Sequence, residues 1–149
     1  MFSSLQDRHF VEFQFIHDYH GLVTDERFFR WIDEFNAGKY FEAHEVLEDL
    51  WHEYREIDRT FIQGLIQLAA GFYHFQCANM KGATSQLTKG ISKLEPYKPQ
   101  HLGIELTKFL AETGDNLELM KDALEGKVLL PGSMEFPRIS VSGKNGSKA

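Results

Sequence analysis

Apolar residues recur at helical spacing along most of the chain between residues 24 and 124. The first apolar stripe consists of Phe28, Trp31, Ile32 and Phe35. These positions lie on one face of a helix with 3.6 residues per turn. Thr24 or Asp25 is a suitable N-cap, and Gly38 is a suitable residue to end the helix. The pattern therefore predicts a helix followed by a short turn, so the next helix should pack antiparallel to it.

Two further helices are predicted over residues 39–54 and 59–78, with Asp58 as the N-cap of the second. The stripe of the 39–54 helix consists of Tyr40, Ala43, Leu47, Leu50 and Tyr54. The stretch from Thr60 to Met80 contains no Asp, Glu, Lys or Arg. Its glutamines, His74 and Asn79 make it a poor membrane span. A helix without charges on any face is normally buried, so we expect the 59–78 helix to be central.

The pattern predicts a fourth helix over residues 81–94, which ends before Pro96. A fifth follows over 103–124, with a break expected at Gly114. The fifth apolar set is Ile104, Leu106, Phe109, Leu110, Leu117, Met120 and Leu124. The sequence thus predicts an all-α fold, a compact bundle of about five helices. The bundle would be built from two successive helical hairpins, residues 24–54 and 58–95. These resemble tetratricopeptide hairpins, because in each a turn of small residues is followed by an alanine early in the next helix, Ala43 or Ala83.

The two ends of the chain lack such regular patterns. Residues 1–23 are predicted to be an N-terminal extension that contains a helix over 6–17, and residues 24–126 are predicted to be the helical domain. Residues 127–149 are predicted to be a C-terminal extension, and its Gly- and Ser-rich end, from residue 142, to be disordered because it has nothing to bury.

Composition narrows the function classes. The formal net charge of the 149 residues is −6. No two Lys or Arg residues are neighbours in the sequence. The basic surface of a nucleic-acid-binding protein is therefore not expected. Cys77 is the single cysteine and is expected to be buried; no intrachain disulfide can form, which favours a reducing compartment. With no signal-peptide pattern, we expect a cytoplasmic protein without a membrane segment.

A polar stripe marks the predicted central helix. Gln63, Gln67 and His74 fall within an arc of about 60° on one face, and Arg59 borders it. Buried amides and imidazoles need hydrogen-bond partners. The preceding helix offers His44 and Glu48, one turn apart. Trp51 lies about one further turn along the same helix, and Glu45 is also a candidate on it. The sequence therefore predicts a polar site where the two helices meet.

Several chemistries fit this set. Two imidazoles and a carboxylate, from His44, Glu48 and His74, are ligand types used for zinc, iron or manganese. Alternatively Glu45, Trp51, Arg59, Gln63 and Gln67 bind a small polar ligand, with Arg59 holding an anionic group, or histidine and carboxylate act as acid and base. A third interpretation is a non-enzymatic module that binds a protein partner, with a purely structural polar cluster. No catalytic residue is identified.

The chain also resembles a known family. The run from Phe35 to Trp51, followed by Arg59, Gly64–Ala70, His74, Asn79 and Gly82–Ala83, is similar to the signature of domain of unknown function 309. The resemblance covers roughly residues 28–95 and implies a compact all-helical domain without an assigned activity. It also implies that the signature includes Glu42, His44, Glu45, Glu48, Trp51, Gln67 and His74.

Overall fold

The computed structural model of the protein describes residues 19–127 and 134–142, and it confirms the all-α class. Residues 19–24 are helical. The elements that follow are α1 (Glu26–Asn36), α2 (Tyr40–Gln76), α3 (Met80–Leu94), a 3₁₀ turn (Glu95–Tyr97), β1 (Gln100–His101), β2 (Ile104–Glu105) and α4 (Thr107–Leu124). The predicted helix over 6–17 lies outside the described residues. So does the stretch predicted to be disordered from residue 142, except for Ser142 itself, which forms hydrogen bonds with Gln100 and Gly103.

Helix α1 begins and packs as its sequence predicts. Asp25 is the N-cap, and its carboxylate accepts a hydrogen bond from the backbone N–H of Arg27. All four residues of the predicted apolar stripe are buried. The turn after α1 contains Gly38 at φ 78°, a left-handed conformation that favours glycine. This short turn returns the chain along α1.

Helix α2 reverses direction at Asp58, which leaves helical geometry with φ −150° and ψ 54°. In a straight helix, two residues separated by 32 positions would lie about 48 Å apart. Instead the ring centroids of Tyr40 and Phe72 are 5.3 Å apart. Residues 40–57 and 59–76 are therefore two antiparallel limbs, here called the first and second limb of α2. The second helix continues to residue 57 rather than to 54, and one residue replaces the predicted loop.

The second limb is the central helix that its lack of charge predicts. It contacts the first limb, and its Phe72 ring also contacts Phe35 of α1. On its other side it packs closely against α3. A Cβ added at Gly90 would lie 2.6 Å from Leu68 Cδ2, and one added at Gly71 would lie 2.5 Å from Leu87 Cδ2. The absence of side chains at these two glycines allows the helices to approach each other. The finer likeness to tetratricopeptide hairpins is not confirmed.

The region before α4 differs from the prediction. Residues 103–106 were expected to begin a helix, but Gln100–His101 and Ile104–Glu105 form an antiparallel hairpin. Its two-residue turn, Leu102–Gly103, has positive φ at both positions, as type I′ turns require. Helix α4 begins at Thr107 and continues through Gly114 without the expected break. Apolar spacing alone therefore misplaced the start of α4.

Residues 134–142 extend this hairpin and lie against α1. Val141 forms a bridge with Ile104, and Ser142 N–H donates to the carbonyl of Gly103. Ile139 is buried, and its backbone pairs with the Asn36 side chain. This segment thus packs on the helices, although it falls in the predicted C-terminal extension. The domain bounds 1–23, 24–126 and 127–149 stay a prediction.

A helix crosses a bilayer only if it is both long and apolar. None of the helices in residues 19–127 combines sufficient length with sufficient hydropathy to cross a bilayer. The cytoplasmic location stays a prediction.

Candidate functional site

The two limbs of α2 bring together four of the residues that the sequence marked as candidates. Glu48 and Trp51 come from the first limb, and Gln63 and Gln67 come from the second limb. With Ile66 they line a cavity of about 230 Å³, here called the seam cavity. The limbs are antiparallel, so positions one turn apart on one limb face positions one turn apart on the other. The predicted meeting of two polar stripes therefore occurs at these four residues.

Two polar atoms of the seam cavity's residues have unsatisfied hydrogen-bonding capacity. Trp51 Nε1 and Gln67 Oε1 are both buried, and neither has a hydrogen-bond partner within the described part of the chain. A buried polar group without a partner typically costs about 1–3 kcal/mol. Because one atom is a donor and the other an acceptor, a single molecule with both functions could satisfy them. Both atoms are closed to solvent, so such a molecule reaches them only if a neighbouring side chain moves.

An imidazole and a carboxylate lie beside the cavity. His44 Nε2 is 3.4 Å from Glu48 Oε2, one turn along the first limb. His44 Nδ1 is 3.9 Å from the carboxylate of Glu45, a mainly exposed residue that does not line the cavity. Protonated His44 can therefore pair with either acid. Glu48 therefore both pairs with His44 and lines the seam cavity.

Two arginines lie over the indole of Trp51. The guanidinium carbon of Arg55 is 5.4 Å from the ring centroid, and that of Arg59 is 5.8 Å away. Guanidinium groups at such distances are attracted to the π-face of tryptophan. The sequence indicated Arg59 but not Arg55. The spacing of four residues between Trp51 and Arg55, one helical turn, was the signal that could have identified it.

The structure places His74 away from the seam cavity. Its Nδ1 lies 3.3 Å from the side-chain nitrogen of Asn79, near the end of the second limb, and its ring is next to Tyr73. Within residues 19–127 and 134–142, no three His, Cys, Asp or Glu side chains form a group suited to a metal ion. The metal set of His44, Glu48 and His74 thus receives no support. Cys77, expected to be buried, is exposed.

The structure contains a second polar pair, Asp58 and His101, which the sequence did not predict. Asp58, a buried residue at the reversal of α2, has its Oδ2 atom 2.6 Å from Nε2 of His101 in β1. The rings of Phe61 and Tyr97 contact the imidazole, with centroids 4.5 and 4.7 Å away. Burial, and then the charge of Asp58, raise the pKa of Tyr97. The pair fastens the hairpin to the α2 reversal.

Two further cavities adjoin each other beside α4. One, of about 290 Å³, is lined by Glu105, Lys108, Phe109, Glu112, Arg138 and Ser140. The other, of about 520 Å³, shares Glu105 and Lys108 with it and is otherwise lined by Pro99, Gln100, Thr107 and Ala111. Both cavities are lined by charges of both signs, and none of their lining residues carries a buried polar atom without a hydrogen-bond partner. The seam cavity is the site with the more specific chemistry.

Two comparisons with known proteins gave matches, and one of them covers the range that contains the seam cavity. Residues 28–86 match the family described as Domain of unknown function (DUF309), which confirms the resemblance found in the sequence. The chain is also 35% identical, over 94 residues, to uncharacterized protein YpuF of Bacillus subtilis (strain 168). That alignment covers 62% of this chain and 51% of YpuF, so the chain spans about half the length of this relative. Every residue that lines the seam cavity lies in the matched range 28–86.

Proposed function

We propose that the protein binds a small polar ligand in the seam cavity, which lies within residues 28–86, the range that matches DUF309. The observation that carries this proposal is the convergence of Glu48, Trp51, Gln63 and Gln67 on one cavity. Binding would give Trp51 Nε1 an acceptor and Gln67 Oε1 a donor. The proposed function is therefore recognition of a ligand that combines hydrogen-bond donor and acceptor groups.

The size of the seam cavity limits the ligand. Cavities that hold drug-sized molecules typically measure about 300–1,000 Å³. At about 230 Å³, the seam cavity suits a molecule with few non-hydrogen atoms. Small ligands bind with limited free energy, so affinities in the millimolar range, about −4 kcal/mol, are to be expected.

Nuclear magnetic resonance offers a direct test, because each of the two tryptophans contributes one indole N–H signal. Trp51 lies at the cavity, whereas Trp31 is buried in the core and serves as an internal control. We expect a panel of acetamide, urea, acetate, methylammonium and 4-aminobutyrate, each at millimolar concentration, to include a compound that shifts the Trp51 signal saturably. The Trp31 signal should not move. The Trp51→Phe variant assigns the two signals.

Variants of glutamine separate binding at the cavity from binding elsewhere. Gln67→Leu removes the buried acceptor and should weaken binding of the active compound at least fivefold. Gln86→Leu, on α3 and outside the cavity lining, makes the same chemical change and should leave binding unchanged. If no compound in the panel moves the Trp51 signal, or if both variants bind equally, the proposal is wrong. A purely structural polar cluster would give the first of these results.

A further inference from the structure

We infer that the ligand of the seam cavity is dipolar, with an anionic group at one end and an amino group at the other. This inference rests on the proposed function and adds the identity and order of the ligand's charges. The anionic end would lie against Arg55 and Arg59, which do not line the cavity but lie over Trp51, one of its lining residues. The amino end would lie against Glu48 and Gln67. The ligand class is then a short-chain ω-amino acid or an amino compound of similar length with another anionic group.

The order of charges along the seam follows from the spacing of residues on the first limb. Glu48, Trp51 and Arg55 are three and four residues apart, so Glu48 lies about one turn before Trp51 and Arg55 one turn after it on the same face. On the second limb, Gln67 lines the cavity together with Glu48, and Arg59 lies over the Trp51 ring next to the reversal at Asp58. Cationic and acceptor groups thus lie on opposite sides of Trp51.

The arginine end is available to an anion. Among the ion pairs of residues 19–127 and 134–142, neither Arg55 nor Arg59 has a carboxylate partner. Two acids near them in sequence pair elsewhere: Glu53 lies 2.6 Å from Arg27, and Asp58 lies 2.6 Å from His101. Guanidinium groups bind carboxylates and phosphates through paired N–H donors. Two such groups held over one indole ring can bind one anionic group between them.

The other end of the site consists of acceptors. Glu48 carries a carboxylate that is 41% exposed and lies 3.4 Å from His44 Nε2. Gln67 contributes the unpartnered Oε1 atom, which the ligand reaches when a neighbouring side chain moves. An ammonium group has three donors and no acceptor, so it matches this pair of oxygens. Ile66 lines the same cavity and would contact the carbon chain between the two ends. Because the arginine side chains reach back over Trp51, the ligand's charges should be about one helical turn, 5.4 Å, apart.

Three compounds of equal chain length test the inference. We expect 4-aminobutyrate to bind at least tenfold more tightly than butyrate, which has only the anion, or butylamine, which has only the cation. Binding is measured from the shift of the Trp51 indole N–H signal. The double variant Arg55→Gln, Arg59→Gln should reduce 4-aminobutyrate binding to the level of butylamine, and leave butylamine unchanged. Glu48→Gln should reduce it to the level of butyrate.

The control is Arg30→Gln, which removes one exposed arginine on α1 without touching the seam cavity and should leave all three affinities unchanged. The inference is overturned if butylamine or butyrate binds as tightly as 4-aminobutyrate, or if the arginine variants bind like the wild type. Either result leaves the proposed function intact, since a ligand still enters the cavity. If neither these compounds nor the wider panel shifts the Trp51 signal, the proposed function fails together with the inference.

Discussion

At the residue scale, Asp25 joins two helices of the molecule. Its Oδ1 atom accepts from the backbone and side chain of Arg27, each at 3.0 Å, and its Oδ2 atom accepts from Arg27 at 2.6 Å and from the Tyr54 hydroxyl at 3.0 Å. These hydrogen bonds, chiefly those from the Arg27 side chain, lower the pKa of Asp25 to about 2. Because Tyr54 lies on the first limb of α2, the same carboxylate caps α1 and connects it to α2.

This depressed pKa predicts a pH-dependent stability. The folded state favours the ionised carboxylate, so its stabilisation is complete above the unfolded pKa of about 4 and is lost as pH falls toward 2. Asp25→Ala should lower the free energy of unfolding at pH 7 by about 1–2 kcal/mol through loss of the cap. Asp25→Asn keeps a capping side chain but removes the charge, and should flatten the pH dependence between 4 and 2. Urea denaturation at several pH values measures both effects. Equal pH slopes for wild type and Asp25→Asn would contradict this account.

The candidate site shows what residue spacing can and cannot predict. Periodicity gives the angular position of a side chain around its helix, which was sufficient to predict that Gln63 and Gln67 face the first limb. It does not give the position of a side chain along the opposing helix. His74 has a similar angle but lies two turns beyond Gln67, so it reaches Asn79 instead of His44. His101 could not be predicted at all, because it reaches Asp58 through a pairing of residues 43 positions apart.

At the element scale, the packing of α3 on the second limb depends on close approach at glycines. Gly90→Ala would place a Cβ 2.6 Å from Leu68 Cδ2 and 3.0 Å from the backbone oxygen of Gly64. Although alanine favours helix by up to about 1 kcal/mol over glycine, overpacking typically costs about 1–3 kcal/mol. We expect Gly90→Ala to destabilise the protein. Thermal unfolding followed by circular dichroism measures the change.

Gly114 in α4 provides the matched control for Gly90. A Cβ added there meets nothing within 4 Å among the described residues. Gly114→Ala should therefore raise the free energy of unfolding by about 0.5–1 kcal/mol, since only the helix propensity changes. Opposite signs for the two variants are the expected result. If both variants stabilise the protein, helix propensity outweighs contact at Gly90 and the close approach is less restrictive than the distances indicate.

The helices themselves were largely predictable, and the errors have physical causes. Asp25, Gly38 and the apolar stripes determined the ends and buried face of α1 correctly. The hairpin before α4 was missed because Ile104, Leu106 and Phe109 fit a helical period as well as a strand that leads into a helix. Only the turn conformation at Leu102 and Gly103 distinguishes these alternatives, and an unusual positive φ at leucine is not visible in a sequence.

At the scale of the whole molecule, Asn36 holds residues 134–142 on the helices. Its side-chain nitrogen donates to the carbonyl of Ile139 at 3.0 Å, and its oxygen accepts from the N–H of Ile139 at 2.7 Å. Arg138 donates to the backbone carbonyl of Asn36. An amide side chain thus satisfies both backbone groups of one residue, in the way that a neighbouring β-strand would. The apolar pattern predicted none of these contacts, because they join residues about 100 positions apart.

Loss of this amide should release the segment without unfolding the bundle. We expect Asn36→Ala to accelerate hydrogen exchange at the Ile139 amide by roughly 5- to 150-fold, which corresponds to about 1–3 kcal/mol for unpaired buried groups. Exchange at the second limb of α2 should change much less. Asn79→Ala, which removes the side-chain cap of α3, is the control and should not affect Ile139. Unchanged exchange at Ile139 in Asn36→Ala would show that other contacts hold the segment.

The reversal of α2 at a single residue also has a consequence for sequence divergence. Twelve positions separate Trp51 from Gln63, and the chain turns between them without a loop. Inserting or deleting one residue at this turn would rotate the second limb by about 100° relative to the first. The second limb would then place different side chains in the seam cavity. The apolar contacts that this central limb makes with the other helices would also be lost. Alignment gaps between relatives should therefore fall in the connections beyond α2, and a relative with a gap at the turn is not expected to keep the site.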